Sequence, residues 1–442
     1  MNLTYDQLSD DQKRVHDKVI SNIQNKIDTT ITGGPGVGKT TLVKFLFQTL
    51  KGMGMSGILL TAPTHQAKNI LSRTVGIDAC TIHSALKISP VTNEEIRTFE
   101  QVKGKKAPDL SEIKVFVVEE ASMLDREMLK IMRRTLPSHV VILALGDEDQ
   151  IRPVSVDGSV EKSPFFDKEI FDVLVMDKIM RQAEGNPIIT VSRNIRDNKG
   201  LNPLSVGDIG VFRHDDATSL LRRYFTVVKS VDDLAENRMF AYTNDNVDKL
   251  NAVIRKHLYK TTEPFMKDEI IVMQEPLVSE AMIGGVKFTE IILNNNEQVK
   301  IIDIIPRHEK IRAKMMTDTL ELDYLMLKVK SVEEETETEI LVIPTMEGRT
   351  KHREYLDMMA WTYKRHKQQT GGRAPWDDFW KLKNKFQSTK PLPVCTYHKS
   401  QGSTFDNAFM YTRDVLAFAD YDLCRQLLYV GTTRARNRVD YV

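Results

Sequence analysis

A glycine-rich segment near the N-terminus has the residue types and spacing to bind phosphate groups. Gly33-Gly-Pro-Gly-Val-Gly-Lys-Thr40 fits the pattern G-x-x-x-x-G-K-(S/T), after a predicted strand and before a predicted helix. Backbone N–H groups would hold phosphate oxygens there, Lys39 would neutralise the β- and γ-phosphates, and Thr40 would place its hydroxyl on Mg²⁺. The segment predicts a nucleoside triphosphate site formed by Gly34, Pro35, Gly36, Val37, Gly38, Lys39, Thr40 and Thr41.

Two adjacent carboxylates end an apolar strand further along the chain, in Val117-Val-Glu119-Glu120. Glu119 could bind the same Mg²⁺ as Thr40, and Glu120 is the candidate general base for attack on the γ-phosphate. Most enzymes with this phosphate-binding loop place Asp at the first position. Glu119 has one more methylene with which to reach the metal, directly or through water. The alternative is that both carboxylates are ordinary surface charges.

A phosphate-binding loop alone is compatible with kinases, GTPases and motors. Two later segments narrow the choice. Gly146-Asp-Glu-Asp-Gln150 ends a third apolar strand, where Gln150 could sense the γ-phosphate or the attacking water. Leu427-Leu-Tyr-Val-Gly-Thr-Thr-Arg-Ala-Arg436 supplies two arginines, and Arg434 is the candidate to neutralise charge on the γ-phosphate. Such an arginine is worth on the order of 10³ to 10⁵ in rate, although in isolation Arg434 is also compatible with a surface ion pair.

The elements that must position these residues follow an α/β pattern. Continuous apolar strands are predicted over 57–61, 114–118 and 140–145 with helices between them, which indicates a parallel sheet covered on both faces. A second α/β pattern begins near Asn237, with a strand over 238–243 and a helix over 247–258, and it resumes near Pro393. The chain should therefore contain two such units.

Three segments depart from that pattern. The polar segment 91–108 predicts an inserted hairpin with its tip at Lys103-Gly104-Lys105. Residues 268–330 are β-rich and predict a small barrel. The acidic run 333–339 is typical of a solvated turn, and a basic, aromatic and helical region follows over 351–390.

Bulk composition sets outer limits. At about 150 residues per domain, 442 residues predict about three compact units. The net charge of +1 means that any nucleic-acid binding must be local. The acidic N-terminus and the lack of an apolar run of about 20 residues predict a cytoplasmic protein without a membrane partner. The three scattered cysteines predict buried thiols and support neither disulfides nor zinc.

The nucleotide-site segments occur together with five further motifs in a fixed order: Leu8-Ser-Asp-Asp-Gln12, Ala62-Pro-Thr-His-Gln-Ala67, Thr81-Ile-His83, Ala241-Tyr-Thr-Asn244 and Thr396-Tyr-His-Lys-Ser-Gln-Gly402. The combination resembles superfamily 1 helicases, specifically the RecD/Dda branch and its Dda-type members in T-even-like bacteriophages. The resemblance covers nearly the whole chain. Glu119 departs from the family's usual Asp, and Asn294-Asn-Asn-Glu-Gln298 is only loosely similar to a glycine-containing turn of the family's barrel.

The resemblance implies an α/β fold with two RecA-like lobes. The first lobe would comprise residues 1–84 and 112–182, interrupted by a pin at 85–111. The second would comprise 183–266 and 393–442, interrupted by an SH3-like β-barrel and helical arm at 267–392. ATP would lie in the cleft between the lobes, and a single strand would cross both.

The resemblance also implies roles for particular residues. Gln12 would read the adenine, Gly402 would border the nucleotide, and Arg181 would reach the γ-phosphate. The DNA-binding set would be Pro63, Thr64, His65, Thr81, His83, Phe99, Thr243, Asn244, Trp376, Thr396, His398 and Lys399. Each small polar residue of this set is also compatible with a helix cap or turn. Phe99 is equally compatible with packing the hairpin onto its lobe, and Trp376 with a helix core.

The implied function is an ATP- and Mg²⁺-dependent DNA helicase that moves 5′→3′ on single strands, as a monomer. Single-stranded and forked duplex DNA would be its substrates, in replication, recombination or repair, with a single-strand-binding protein as a candidate partner. If phage-encoded, it would act in the host cytoplasm. Three alternatives remain at this point: an RNA helicase, a translocase that only strips proteins from single strands, and an ATP-binding clamp with little hydrolysis.

Overall fold

The N-terminal part of the chain forms a parallel sheet that carries the phosphate-binding loop. The computed structural model describes residues 4–93, 96–101, 109–153, 160–178, 185–283 and 286–442. In chain order this part contains α1 (Asp10–Gln24), β1 (Thr29–Thr32), α2 (Lys39–Gly52), β2 (Ile58–Ala62), α3 (His65–Val75), β3 (Ala79–Thr81), α4 (Ile82–Ala85), β4 (Ile88–Asn93), β5 (Ile96–Gln101), β6 (Val115–Val118), α5 (Arg126–Thr135), β7 (Val141–Gly146) and β8 (Asp172–Val175).

Six of these strands form one sheet in the order β3-β2-β6-β7-β1-β8, with every pairing parallel. Its central strands β1, β6 and β7 are buried along their whole length, which explains the unbroken apolar sequences of β6 and β7, whereas β1 is Thr-Thr-Ile-Thr. Apolar side chains of α1 and α2 pack on one face, and those of α5 pack on the other. We call this unit the first lobe.

The predicted hairpin insertion is present, but its tip is not where it was predicted. β4 pairs with β5 in antiparallel register from Ile88↔Gln101 to Asn93↔Ile96, so the chain reverses between Asn93 and Ile96. The prediction of a tip at Lys103-Gly104-Lys105 is wrong for this hairpin, and those residues lie outside the described ranges. A lysine-flanked glycine is a strong turn signal, whereas the reversal itself has neither Gly nor Pro.

A second α/β unit begins after residues 179–184, which lie outside the described ranges. It starts with α6 (Pro187–Arg196), β9 (Leu204–Val206), β10 (Ile209–Arg213), α7 (Ala217–Val227), β11 (Asn237–Ala241) and α8 (Asn244–Tyr259). α6 begins as its sequence predicts, because Asn186 accepts a hydrogen bond from the Ile188 N–H and Pro187 occupies the first helical position.

A β-rich unit with two helices interrupts this second unit. It contains β12 (Ile270–Met273), β13 (Leu277–Ile283), β14 (Val286–Leu293), β15 (Gln298–Ile311), β16 (Leu320–Ser331), β17 (Glu337–Val342), α9 (Met346–Thr370), α10 (Trp376–Lys383) and β18 (Thr389–Pro391). Five strands form an antiparallel sheet in the order β17-β16-β15-β12-β18. We call this sheet with the β13–β14 hairpin the barrel, and α9 with α10 the arm. Of the acidic run 333–339, residues 333–336 lie, as predicted, at the turn between β16 and β17, and residues 337–339 begin β17.

The chain then returns to the second unit with β19 (Val394–Thr396), β20 (Phe405–Met410), α11 (Arg413–Phe418), α12 (Tyr421–Thr433) and β21 (Ala435–Tyr441). The completed sheet has the order β19-β11-β20-β21-β10-β9, parallel except for the β9–β10 pair. Apolar residues of α6 and α12 pack on one face, and those of α7 and α8 on the other. This is the second lobe.

The predicted domain limits at 182/183, 266/267 and 392/393 each fall between strands of different sheets. Among the helices of the described ranges, none combines the length and apolar character needed to cross a membrane.

Candidate active site and strand-binding surface

The phosphate-binding loop connects β1 to α2. Gly36 and Gly38 have φ of 78° and 83°, a left-handed conformation that a side chain disfavours. Lys39 opens α2, and its Nζ donates to the carbonyl oxygens of Gly33 and Gly34, the latter at 3.1 Å. The Lys39 ammonium group is therefore held at the start of the loop, beside the backbone that would bind the phosphates.

Gln12 supports this loop from the N-terminal helix. Its side chain is fully buried; Oε1 accepts from the Ser9 N–H at 2.9 Å, and Nε2 donates to the Gly38 carbonyl at 3.1 Å. The glutamine thus joins the cap of α1 to the phosphate-binding loop. Its reading of adenine stays a prediction.

Glu119 and Glu120 follow β6, as the sequence predicts, and their environments differ. Burial raises the pKa of Glu119 to about 7; the charge of Glu120 acts in the same direction and Lys39 opposes it. Glu120 has φ of 51°, a left-handed conformation that costs a non-glycine residue on the order of 1 to 3 kcal/mol. Backbone strain of this kind concentrates at functional sites, and here it falls on the candidate general base.

The loop after β7 contributes a buried amide with an unused acceptor. Gln150 is buried, and its Oε1 has no hydrogen-bond partner within the described part of the chain. An unsatisfied buried oxygen costs about 1 to 3 kcal/mol, so a donor supplied by water would stabilise it. The role of Gln150 beside the attacking water stays a prediction.

Arg434 reaches the same cleft from the second lobe. It is buried, and its guanidinium donates to the carbonyls of Val430 and Ser403 and to Thr433 Oγ1, at 3.2 to 3.3 Å. Burial lowers the pKa of Arg434, while Glu120 and Asp147 of the first lobe act in the opposite direction. The first-lobe carboxylates are therefore close enough to interact with this arginine.

The neighbouring Arg436 has a different environment. Its side chain is half exposed and bonds to Glu236 and Asp406, at 2.8 and 3.0 Å, on the second lobe itself. The surface ion pair considered for Arg434 is therefore found at Arg436. Arg181, the other predicted γ-phosphate contact, lies outside the described residues.

Contacts between the lobes that the sequence did not predict surround the cleft. Asp149 of the first lobe binds Arg196 Nε at 2.8 Å and Arg425 Nη1 at 2.9 Å, both from the second lobe. Asp147 is buried and its Oδ2 accepts a hydrogen bond from the Tyr429 hydroxyl, and burial raises the pKa of Asp147. The partners are up to 282 residues apart, so local spacing gave no signal of them.

Four predicted DNA-contacting threonines lie where parallel strands end. They follow β2, β3, β11 and β19, which are neighbours in pairs in the two sheets. Each hydroxyl accepts a hydrogen bond, at 3.2 to 3.3 Å, from the backbone N–H three residues further along the chain. The pairs are Thr64 with Ala67, Thr81 with Ser84, Thr243 with Asn246, and Thr396 with Lys399. The helix-cap alternative therefore holds for Thr64, Thr81 and Thr243, and the turn alternative for Thr396. Because helix N-termini attract anions, capping is compatible with phosphate binding.

The predicted imidazoles and lysine occupy the same strand ends. Burial lowers the pKa of His65, His83 and His398, so these rings are neutral near pH 7. Burial also lowers the pKa of Lys399, whose Nζ donates to Gln274 of the barrel. Pro63 and Asn244 are adjacent to the capping threonines. The imidazole and amide groups can offer donors to phosphates without a charge of their own.

The remaining predicted contacts have mixed outcomes. A Cβ on Gly402 would lie 3.8 Å from Ala67 Cβ and 4.0 Å from Thr64 Oγ1, so this glycine borders the strand-binding residues of the first lobe. Its role at the nucleotide stays a prediction. Trp376 packs edge-on against Tyr363 and Phe379 in the core of the arm, which favours the packing alternative. The Phe99 backbone pairs with Pro90 in the hairpin.

One residue that sequence reasoning missed holds the start of α8 beside the predicted strand contacts Thr243 and Asn244. Asp414 is buried, and its Oδ2 accepts from the N–H groups of Tyr242 and Thr243 and from Asn246 Nδ2, at 2.8 to 3.1 Å. This carboxylate from α11 therefore fixes the start of α8. Asp414 lies in the first turn of α11, where an Asp is common, so no local pattern indicated its distant partners.

The arrangement agrees with comparison to known proteins. The ATP-dependent DNA helicase dda of Enterobacteria phage T4 is 41% identical to this chain, over 100% of both sequences. The chain belongs to the Dda family of ATP-dependent DNA helicases. Family models match this Dda-type chain in three parts: an AAA domain at 7–207, a Dda helicase SH3 domain at 262–391 and a UvrD-like helicase C-terminal domain at 392–439.

More distant relatives agree on the fold. The RecBCD enzyme subunit RecD of Haemophilus influenzae is 24% identical, over 92% of the Dda-type chain and 65% of its own. A solved structure of Pif1 helicases at forked duplex DNA aligns with a TM-score of 0.50 at 15% identity, covering 99% of the Dda-type chain and 92% of its own. The predicted fold class, two RecA-like lobes with an SH3-like domain, is confirmed.

Proposed function

We propose that this helicase moves 5′→3′ along single-stranded DNA and opens duplex or displaces bound proteins, driven by ATP hydrolysis between its lobes. The observation that carries the proposal is that residues of the second lobe bind the loop after β7 of the first lobe, where Asp149 pairs with Arg196 and Arg425 and Asp147 accepts a hydrogen bond from Tyr429. The phosphates of ATP would be fully satisfied only when both lobes contribute, so ATP binding draws the lobes together and hydrolysis releases them. The 5′→3′ direction rests on the family.

Each residue of the cleft has a separate task in this proposal. Lys39 neutralises the β- and γ-phosphates, Glu120 accepts a proton from the attacking water, and Gln150 orients that water. Arg434 neutralises charge that develops on the γ-phosphate, together with Arg181 if the family role applies.

The donors present fit Mg²⁺. This ion commonly takes one or two carboxylates, phosphate oxygens and several waters, so the Glu119 carboxylate and Thr40 hydroxyl are a sufficient protein contribution. Within the described ranges no group of three or more His, Cys, Asp or Glu residues forms a metal site of its own, which suits an ion bound mainly through phosphates. When bound, Mg²⁺ would supply positive charge at the β- and γ-phosphate oxygens.

The strand would lie over the carboxyl ends of β2, β3, β11 and β19. Hydroxyl, amide and neutral imidazole groups there contact phosphates without reading bases, which suits a motor that must grip any sequence. Phe99 in the hairpin is the proposed wedge at the duplex junction. Closure and opening of the lobes would alternate the grip of the two threonine pairs.

We further propose that single-stranded and forked DNA are the substrates and that one copy suffices for activity. A single-strand-binding protein is a candidate partner. The phage origin of the T4 relative supports action in the cytoplasm of an infected host.

The test is unwinding of two forks that differ only in which strand carries the single-stranded tail. Opening of the 5′-tailed fork alone is expected. Opening of the 3′-tailed fork alone would contradict the direction, and ATP hydrolysis without opening of either fork would leave the strand-stripping translocase. ATP hydrolysis stimulated by RNA but not by DNA would contradict the DNA substrate, since only RNA offers a 2′-hydroxyl.

A further inference from the structure

A cationic side chain of the second lobe lies directly on the phosphate-binding loop. Arg196 is the last residue of α6, and its Nη1 is 2.7 Å from the position that a Cβ would take on Gly34. The Tyr429 hydroxyl is 3.1 Å from the same position. The second lobe therefore touches the loop at Gly34, where a larger residue would have to displace the end of the Arg196 side chain.

The charge around this contact is unbalanced. Asp149 is shared between Arg196 and Arg425, so one carboxylate faces two guanidiniums. Asp177 is 3.9 Å from Arg196 and largely exposed, so solvent weakens that pair. Asp147 also acts on the charge of Arg196, but it is bonded to the Tyr429 hydroxyl. Arg196 is therefore the guanidinium beside Gly34 that could leave Asp149 while Arg425 stays on it.

The position along the loop indicates which phosphates are near. Lys39, which in such loops reaches the β- and γ-phosphates, donates to the carbonyl of Gly34 itself. Arg196 contacts the same residue from the opposite lobe. Its guanidinium therefore borders the β/γ end of a bound triphosphate.

We propose that Arg196 is a positioning residue that leaves Asp149 and binds the γ-phosphate of ATP, while Arg425 keeps Asp149 paired. This rests on the proposed function, namely that ATP occupies this cleft. A guanidinium matches phosphate geometry with two parallel hydrogen bonds, and Asp149 keeps one partner, so the exchange leaves no buried charge unpaired.

The exchange would carry the phosphate state into the second lobe. α6 packs against α12, whose C-terminal end is Arg434, and against β10 of the second sheet. A shift of Arg196 toward the phosphates would pull on α6, and α6 packs against α12, the helix that precedes Arg434. Loss of the γ-phosphate would return Arg196 to Asp149.

Equilibrium titration with fluorescent ADP and a fluorescent non-hydrolysable ATP analogue separates this role from that of a simple ion pair. Arg196→Ala is expected to weaken the triphosphate about tenfold and the diphosphate by less than about twofold. Arg425→Ala is the matched control, because it removes the other arm of the same ion pair; it should change both affinities equally. Arg196→Lys should give an intermediate ratio, since it keeps the charge without the planar fork.

An Arg196→Ala affinity ratio equal to that of wild type, or to that of Arg425→Ala, would overturn the proposal while leaving the proposed function intact. Failure of the wild type to bind the triphosphate analogue would overturn both. If Arg196→Ala does not fold, the ratio measured with Arg196→Lys decides in the same way.

Discussion

Lys39 and Glu119 belong to the candidate nucleotide site, and both were predicted from local spacing. Lys39→Ala removes the charge that would neutralise the phosphates, so ATP turnover should fall by at least about 10³-fold. Binding of a single-stranded oligonucleotide should stay within about twofold, because the threonines that would hold it follow other strands. Steady-state ATPase and fluorescence anisotropy measure the two effects, and equal loss of both would contradict the assignment.

Glu119 predicts a pH-dependent stability. Its pKa is about 7 in the folded, metal-free protein against 4.5 ordinarily, so the folded state retains a proton that the unfolded chain releases. The associated stability is fully present below about pH 4.5 and is lost as the pH rises through 7. Glu119→Gln should therefore stabilise the metal-free protein at pH 8, by about 3 kcal/mol at most, and much less at pH 5.

Thermal unfolding in the presence of a chelator, at both pH values, measures that difference. Comparing variant with wild type at each pH cancels the contributions of other titrating groups. An equal gain at pH 5 and pH 8 would show that the effect does not come from ionisation of Glu119.

The residues that sequence could not predict are those whose partners are distant in the chain. Arg425 lies 276 residues from Asp149, and Tyr429 lies 282 from Asp147. No local pattern distinguishes these from surface residues. Gln12, by contrast, was predicted as a site residue from its motif, although its hydrogen bond to the Gly38 carbonyl was not predicted.

At the scale of elements, helix starts form the proposed strand-binding surface, and Asp414 fixes the start of α8. Asp414→Ala would leave two backbone N–H groups at the start of α8 without their acceptor. We expect the free energy of unfolding to fall by about 1 to 3 kcal/mol. Affinity for single-stranded DNA should fall several-fold, with the KM for ATP unchanged in the absence of DNA.

Asp125→Ala is the matched control for that prediction. Asp125 caps α5 by accepting from the Met128 N–H at 2.9 Å, on the first lobe and apart from the strand-binding threonines. It should lower stability without lowering DNA affinity. Equal loss of DNA affinity in both variants, measured by anisotropy beside denaturant unfolding, would show that Asp414 has no specific role there.

Elements were predictable where burial imposes a simple pattern. β6 and β7 are buried on both faces, and their apolar runs located them within one or two residues. The hairpin tip was misplaced because turn chemistry pointed to Gly104, whereas register places the reversal after Asn93. Pairing between strands is a non-local property that a turn signal only approximates.

At the scale of the whole molecule, one chain forms two lobe sheets and a barrel, and each lobe is interrupted in sequence by an insertion. The order of motifs implied that arrangement through family resemblance, and the sheets and matches confirm the fold class. The way in which the lobes meet was not accessible from sequence. It depends on ion pairs such as Asp149 with Arg196, and on the contact of Gly402 with α3.

The central claim is that the second lobe completes the ATP site through Arg434. Its most direct test is DNA-stimulated ATPase of Arg434→Ala beside Arg436→Ala, a matched arginine that pairs on the surface with Glu236 and Asp406. The account predicts that kcat falls by about 10³-fold or more for Arg434→Ala, with ATP-analogue affinity changed only a few-fold, and stays near wild type for Arg436→Ala. A kcat for Arg434→Ala within tenfold of wild type, or an equal loss in both variants, would contradict it.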